Sequence, residues 1–162
     1  MPRFRMVHEL PFTPERAWEQ FLDHTFNEQF YQETLGWPQW SIEEQSNTGD
    51  EVVRKVKMTP RRELPERMAK VLGSNFHQME NGTFTSTSRT GRWRRIPSSN
   101  ADKWQEEGDI QFEPIHNDGC RMTIEVLLQI SIFGIGGKLE DALEKQIRGE
   151  WEHFKLASLK HG

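Results

Sequence analysis

Residues 121–132 alternate between apolar and polar side chains almost without a break, then run into a glycine-rich interruption and a long amphipathic segment. Met122, Ile124, Val126, Leu128, Ile130 and Ile132 fall on one side; Arg121, Thr123, Glu125, Gln129 and Ser131 fall on the other, with only Leu127 out of step. A period of two over this length is a strand with one buried and one wet face. Phe133-Gly134-Ile135-Gly136-Gly137 breaks it. Beyond the break, Leu139, Ala142, Leu143, Ile147, Trp151, Phe154 and Ala157 recur at spacings of three and four, the stripe of a helix that reaches to about Leu159. A helix of roughly 23 residues is about 35 Å long, enough to cross an entire sheet. The strand needs a cover for its apolar face, and the helix needs a floor for its stripe.

The rest of the chain supplies more of that floor. Residues 3–9 read as a strand with Phe4, Met6 and His8 on one face. Thr13-Pro14-Glu15 then carries the signs of a helix start, a capping hydroxyl followed by proline and an acid, with Ala17, Trp18, Phe21 and Leu22 as its stripe. A second short helix is expected from Asn27, burying Phe30, Tyr31 and Leu35 and ending at Gly36. Segments 39–46 and 51–58 flank Asn47-Thr48-Gly49-Asp50 and read as a hairpin, stopped by Pro60. Leu64-Pro65-Glu66 starts one short helix that ends at Gly73. Strand character returns over 74–97, punctuated by Asn81-Gly82, as a turn or a bulge, and by Thr90-Gly91. A polar loop from Ser98 to Glu107 leads to a strand at 109–115, and Asn117-Asp118-Gly119 turns it into the last strand. The order gives an α+β fold, a curved antiparallel sheet gripping a long C-terminal helix with two short helices after the first strand, in one domain spanning 1–162. Such a grip is expected to leave an interior cavity.

Composition narrows the classes of function. At 162 residues the chain has the size of one domain. A net charge of −4 gives no overall bias toward nucleic acid or an anionic membrane. Cys120 is the only cysteine, which excludes a disulfide framework and a cysteine-rich zinc site. No segment has the length of a signal peptide's apolar core or of a membrane span, so a cytoplasmic location without integral membrane association is expected.

Val7-His8-Glu9-Leu10-Pro11-Phe12-Thr13-Pro14-Glu15-Arg16-Ala17-Trp18 resembles the first strand and helix of the START-like (SRPBCC, helix-grip) superfamily, which includes steroidogenic acute regulatory lipid-transfer proteins, birch-pollen-type allergens and polyketide cyclases. Within it, Val126 to Glu140, with its Gly136-Gly137-Lys138-Leu139-Glu140 turn, is similar to a bacterial family of unknown function. The resemblance implies a hydrophobic-ligand cavity between sheet and terminal helix. It does not imply an activity, because folds of this kind host transport, catalysis and sensing.

Individual motifs add little chemistry. Gly134-Ile135-Gly136-Gly137-Lys138 lacks the third glycine of a dinucleotide site and the ending of a P-loop, and Glu140 and Asp141 would repel an anion from the helix start, so it reads as a structural turn. The six histidines are scattered. Glu150-x-x-His153 has di-iron spacing but no helical second copy, so no metal or cofactor is assigned. Cys120 has no histidine assigned to it, and no catalytic residue emerges. Residues 51–67 carry six basic and three acidic groups, whereas 101–113 carry five acids and one lysine, an asymmetry that leaves room for transient contact with a membrane surface.

Alternation nominates a ligand site. If Val52, Val56 and Met58 face inward, so does Arg54; Trp93 brings Arg95, Phe84 brings Ser86 and Ser88, and Phe4 and Met6 bring His8. Inward arginines require a carboxylate, a ligand anion or water, unless a bulge turns them out. The expected lining is His8, Trp40, Arg54, Met58, Phe84, Ser86, Trp93, Arg95 and Phe112, closed by Leu143 and Ile147 of the helix. The partner so implied is a small hydrophobic or amphipathic molecule, lipid, sterol-like or polyketide-like. Two other readings stay open: a cyclase or hydrolase using Arg54, Arg95 or His8 to polarise a carbonyl, and a co-chaperone-like module working through its charged outer face. Oligomeric state is not encoded in any of these features.

Overall fold

Arg3–Leu10 (β1) alternates without exception between exposed and buried residues, placing Phe4, Met6, His8 and Leu10 inside. The computed structural model, which describes residues 3–161, continues with Pro14–Leu22 (α1), capped by the Thr13 hydroxyl accepting from Arg16 N at 3.3 Å. The second helix, His24–Gln29 (α2), starts earlier than its apolar spacing suggests, because the Asp23 carboxylate caps it by accepting from Phe26 N at 3.3 Å. It runs directly into a π-helical turn, Phe30–Thr34, closed by Leu35 N donating to Phe30 O at 2.9 Å. Gly36 then reverses the chain at φ +69°, the left-handed conformation expected of it.

The hairpin forms as expected from Gln39–Thr48 (β2) and Glu51–Thr59 (β3), with Thr48 opposite Glu51. Glu66–Leu72 (α3) ends at Gly73. Strands Gln78–Thr85 (β4) and Thr90–Pro97 (β5) correct one expectation: neither Asn81-Gly82 nor Thr90-Gly91 is a turn or bulge, and both lie in paired strand. The reversal falls at residues 86–89, where glycine is absent. Asp50 holds it from the neighbouring hairpin, accepting from Ser86 N through its carbonyl and from Thr87 N and Oγ1 through its carboxylate. The expected loop up to Glu107 is shorter too, since Trp104–Ile115 (β6) begins at Trp104. Its first half looks polar because Glu106, an inward-facing charge, adds to the outward Gln105, Glu107 and Asp109.

Gly119–Ile130 (β7) leads to Gly136–His161 (α4), a helix of 26 residues. A Cβ at Gly136 would meet Ile130 O at 2.3 Å, so the helix start presses on the strand end more closely than any side chain allows. Glu140 lies beyond the first turn and accepts from Ile130 N at 2.7 Å, tying helix to strand. The glycine-rich break is thus a packing device.

The strands form one antiparallel sheet in the order β1-β7-β6-β5-β4-β3-β2. Its concave face and α4 enclose the main core, with Ile110, Met122, Ile124 and Leu128 beneath Leu139, Leu143 and Ile147. This is the helix-grip architecture of the START-like fold. Among the described residues no helix is long and apolar enough to cross a membrane.

Candidate functional site

Strand alternation carries four charges onto the concave face. Arg54 on β3, Arg95 on β5 and Glu106 on β6 are all less than a tenth exposed, and Glu80 on β4 stands directly opposite Arg95. Arg95 Nε donates to Glu80 Oε1 at 2.9 Å, and its Nη1 lies 3.6 Å from Glu106 Oε2. Glu106 Oε1 also accepts from Gln78 Nε2 at 2.9 Å and from Trp104 Nε1 at 3.2 Å. Arg54 donates from Nε to Gln45 Oε1 at 3.2 Å and from Nη2 to Leu22 O at 2.9 Å. Burial works against the Arg95 charge, but Glu80 and Glu106 together outweigh it and raise its pKa. For Arg54 burial prevails and lowers the pKa, although a guanidinium stays charged. The inward arginines are therefore satisfied by the protein itself.

Aromatic rings surround this cluster. Tyr31, from the π-helical turn, stacks on Trp40 with centroids 5.2 Å apart and planes 7° from parallel. Trp93 and Trp151 stack at 6.1 Å, bringing sheet and helix together, and Arg54 sits 5.8 Å from the Phe84 ring centre. Burial holds the Tyr31 phenol well above its usual pKa, keeping it neutral. Phe21 of α1 meets Phe84 edge-on at 5.5 Å.

What remains between these side chains is a void of about 30 Å³, lined by Phe21, Asn27, Tyr31, Trp40, Arg54, Glu80, Phe84, Trp93, Arg95 and Trp151. That holds one or two water molecules. The expected roomy hollow is not present in this conformation, because the aromatic rings fill it. A groove of about 680 Å³ lies outside, between the end of α4 and the α2 segment, with Phe26, Phe30, Leu156 and Leu159 among its walls. The π-helical turn borders both spaces. Phe30, Glu33 and Thr34 line the outer groove, and Tyr31 lines the inner void.

Five of the expected residues meet at the void: Trp40, Arg54, Phe84, Trp93 and Arg95. The others lie elsewhere. Met58 packs in a satellite core with Trp37, Trp40 and Val56. Phe112 meets Trp18 edge-on at 5.7 Å, and Leu143 and Ile147 belong to the main core. Ser86 and Ser88 do not face inward with Phe84, because strand β4 has ended and both are exposed in the turn, where Ser86 Oγ accepts from Trp18 Nε1 at 3.1 Å. His8 is buried in β1 with Nε2 unpartnered, its pKa lowered by burial, and is not among the residues lining the void. Sequence reasoning passed over Glu80 and Glu106 and read Tyr31 and Trp151 only as buried residues of helical stripes, not as part of the site. A signal for Glu80 and Glu106 existed, since two inward arginines demanded carboxylates on neighbouring strands. Glu150 of the Glu150-x-x-His153 pair is occupied by Arg62, at 2.8 and 3.0 Å.

Comparison with solved structures gives the same fold at low identity. The Zhui aromatase/cyclase of Streptomyces sp. R1128 superposes with a TM-score of 0.70 at 10% identity, covering 99% of this chain and 92% of that one. Norcoclaurine synthase of Thalictrum flavum, solved in complex with dopamine and hydroxybenzaldehyde, gives 0.68 at 12% identity over 99% and 88%. A START superfamily protein from Mycobacterium smegmatis gives 0.60 at 11% identity over 98% and 95%. No curated protein sequence gives a significant match. A family model described as a protein of unknown function (DUF2505) matches residues 5–153.

Proposed function

The chain belongs to this family of unknown function, DUF2505, and from that premise we propose that it binds a small amphipathic molecule between its sheet and its long helix. The observation that carries the reading is a set of buried charges, the Arg95 pairs with Glu80 and Glu106 and the Arg54 guanidinium held by Gln45 and Leu22 O, with Arg54, Arg95 and Glu80 lining an interior void among aromatic rings. Buried ion pairs stabilise a fold poorly compared with apolar side chains of the same volume, and buried charges in a cleft concentrate at working sites. Their place is where a ligand's polar end would rest while its rings stack on Trp40, Trp93 and Trp151.

Admission requires the site to open. The π-helical turn is the movable part: it is one element thick, it borders both the outer groove and the void, and helices of this type concentrate at functional positions. Withdrawal of Tyr31 from its stack on Trp40 would join the two spaces. The catalytic reading is weaker, because Arg54 and Arg95 are already engaged and His8 does not line the void. The fold neighbours that are enzymes or hold small aromatic molecules support a small-molecule role without specifying one.

The test is mass spectrometry of small molecules extracted from natively purified protein, joined to NMR titration with 2-naphthalenemethanol. A co-purifying compound, or perturbation of the Trp40, Trp93 and Trp151 indole signals, is expected. No extracted molecule together with no interior perturbation would overturn the reading.

A further inference from the structure

The buried charge cluster at the void sums to zero: Arg54, Arg95 and Glu80 line the space, and Glu106 stands behind Arg95, outside the lining. Arg95 lies between Glu80 and Glu106, and Arg54 adds the second positive charge, so two arginines stand against two carboxylates. The nearest further pair, Arg62 and Glu150, is closed on itself by two hydrogen bonds at 2.8 and 3.0 Å and is also neutral. The Tyr31 phenol stays protonated, so it adds no charge.

From the neutrality of this four-charge cluster we infer that the interior site selects ligands with an uncharged, hydrogen-bonding polar end attached to a flat apolar body: alcohols, phenols or ketones, in preference to fatty acids, phospholipids or amines. This deepens the binding reading above and rests on it. A carboxylate entering the site would either compete with Glu80 and Glu106 for Arg95 or displace Gln45 Oε1 and Leu22 O from Arg54, and in both cases would leave a net negative charge in a space with room for one or two waters. An ammonium would compete with Arg95 for Glu80 and strand a guanidinium. In each case the buried cluster is left with an uncompensated charge, which is far more costly than an unimproved neutral contact. A hydroxyl or carbonyl breaks nothing. A carboxylate has more lone pairs than one arginine bond uses, and a guanidinium has five donors, so a neutral group is added to the network without dismantling it. The flat body follows from the walls, where Phe21, Tyr31, Trp40, Phe84, Trp93 and Trp151 present six aromatic rings.

Three probes on one ring system separate head charge from shape: 2-naphthalenemethanol, 2-naphthoate and 2-naphthylmethylammonium, titrated by calorimetry at neutral pH with indole NMR signals reporting the site. The alcohol is expected to bind the unmodified protein at least about tenfold more tightly than either ion. Glu80→Gln leaves the site one positive charge in excess and is expected to shift the preference toward naphthoate. Arg54→Gln leaves one negative charge in excess and is expected to shift it toward the ammonium. Circular dichroism establishes folding of each variant, and if one does not fold, the other carries the sign of the shift. Naphthoate binding as tightly as the alcohol to the unmodified protein, or a preference unmoved by a folded charge variant, overturns the inference while leaving the binding reading standing. Failure of all three probes to reach the interior overturns the inference, and only when no molecule co-purifies either does the binding reading fall with it.

Discussion

Trp93 lies flat against Gly108, its cross-strand partner on β6, so closely that a Cβ at residue 108 would fall 2.3 Å from the indole carbons Cε2 and Cζ2. The glycine is a floor for the ring. Phe84 uses Gly82 and Gly91 in the same way, with built Cβ positions 2.7 and 2.4 Å from its ring. Two of the aromatic rings that fill the interior are therefore seated on glycines chosen by contact.

Gly108→Ala should destabilise the protein by about 1–3 kcal/mol, the usual range for overpacking a fitted interior. Equilibrium denaturation measures it. Combining Gly108→Ala with Trp93→Leu should recover much of the loss, and strictly additive effects would show that the ring contact is not its origin.

Arg95→Met removes the partner of both Glu80 and Glu106 and should cost about 3–5 kcal/mol. Adding Glu80→Gln to that variant should restore part of the stability, since one stranded carboxylate disappears. A double variant as unstable as the sum of the singles would mean that the two side chains do not stabilise each other.

Tyr31→Ala takes away the ring by which the π-helical turn lines the void. Stability should fall by about 2–5 kcal/mol, the range for large-to-small core changes, while affinity for 2-naphthalenemethanol rises because the space is already open. Unchanged or weaker binding in a folded Tyr31→Ala variant would count against the π-helical turn as the entrance.

His8 gives a pH dependence. Burial lowers its folded-state pKa below the usual 6.5, with Glu152 acting in the opposite direction and Lys155 in the same one. The unfolded chain then binds more protons below that value, so the His8 contribution is fully present above about pH 6.5 and is lost as pH falls toward the folded pKa. For one proton the slope is at most about 1.4 kcal/mol per pH unit. Denaturation midpoints measured between pH 7.5 and 5.5 should fall more steeply for the unmodified protein than for His8→Met; parallel slopes would remove His8 from the account.

The expected architecture was readable because periodicity is local. The alternation of Met122 through Ile130 needs only a backbone with a period of two, and the stripe from Leu139 to Phe154 needs only one of 3.6. The same rule put Arg54 and Arg95 on the inner face unless a bulge turned them out, and left that alternative open. Errors came where a distant group replaced a local signal. Asp50 makes a turn of Ser86 to Arg89 without glycine, and Arg95 makes an inward strand residue of Glu106, which by composition belonged to a loop.

By itself, the chain's alternation and helical spacing determined an antiparallel sheet closed by a long helix, and nominated Arg54 and Arg95 for its inner face. Only the tertiary structure decided how they are satisfied and how much space is left. The reason is that charge pairing and void volume depend on side chains brought together from β3, β4, β5, β6, the π-helical turn and α4, whose separations in space no single segment encodes. The same convergence that neutralised Arg95 also filled the interior with Tyr31, Trp93 and Trp151.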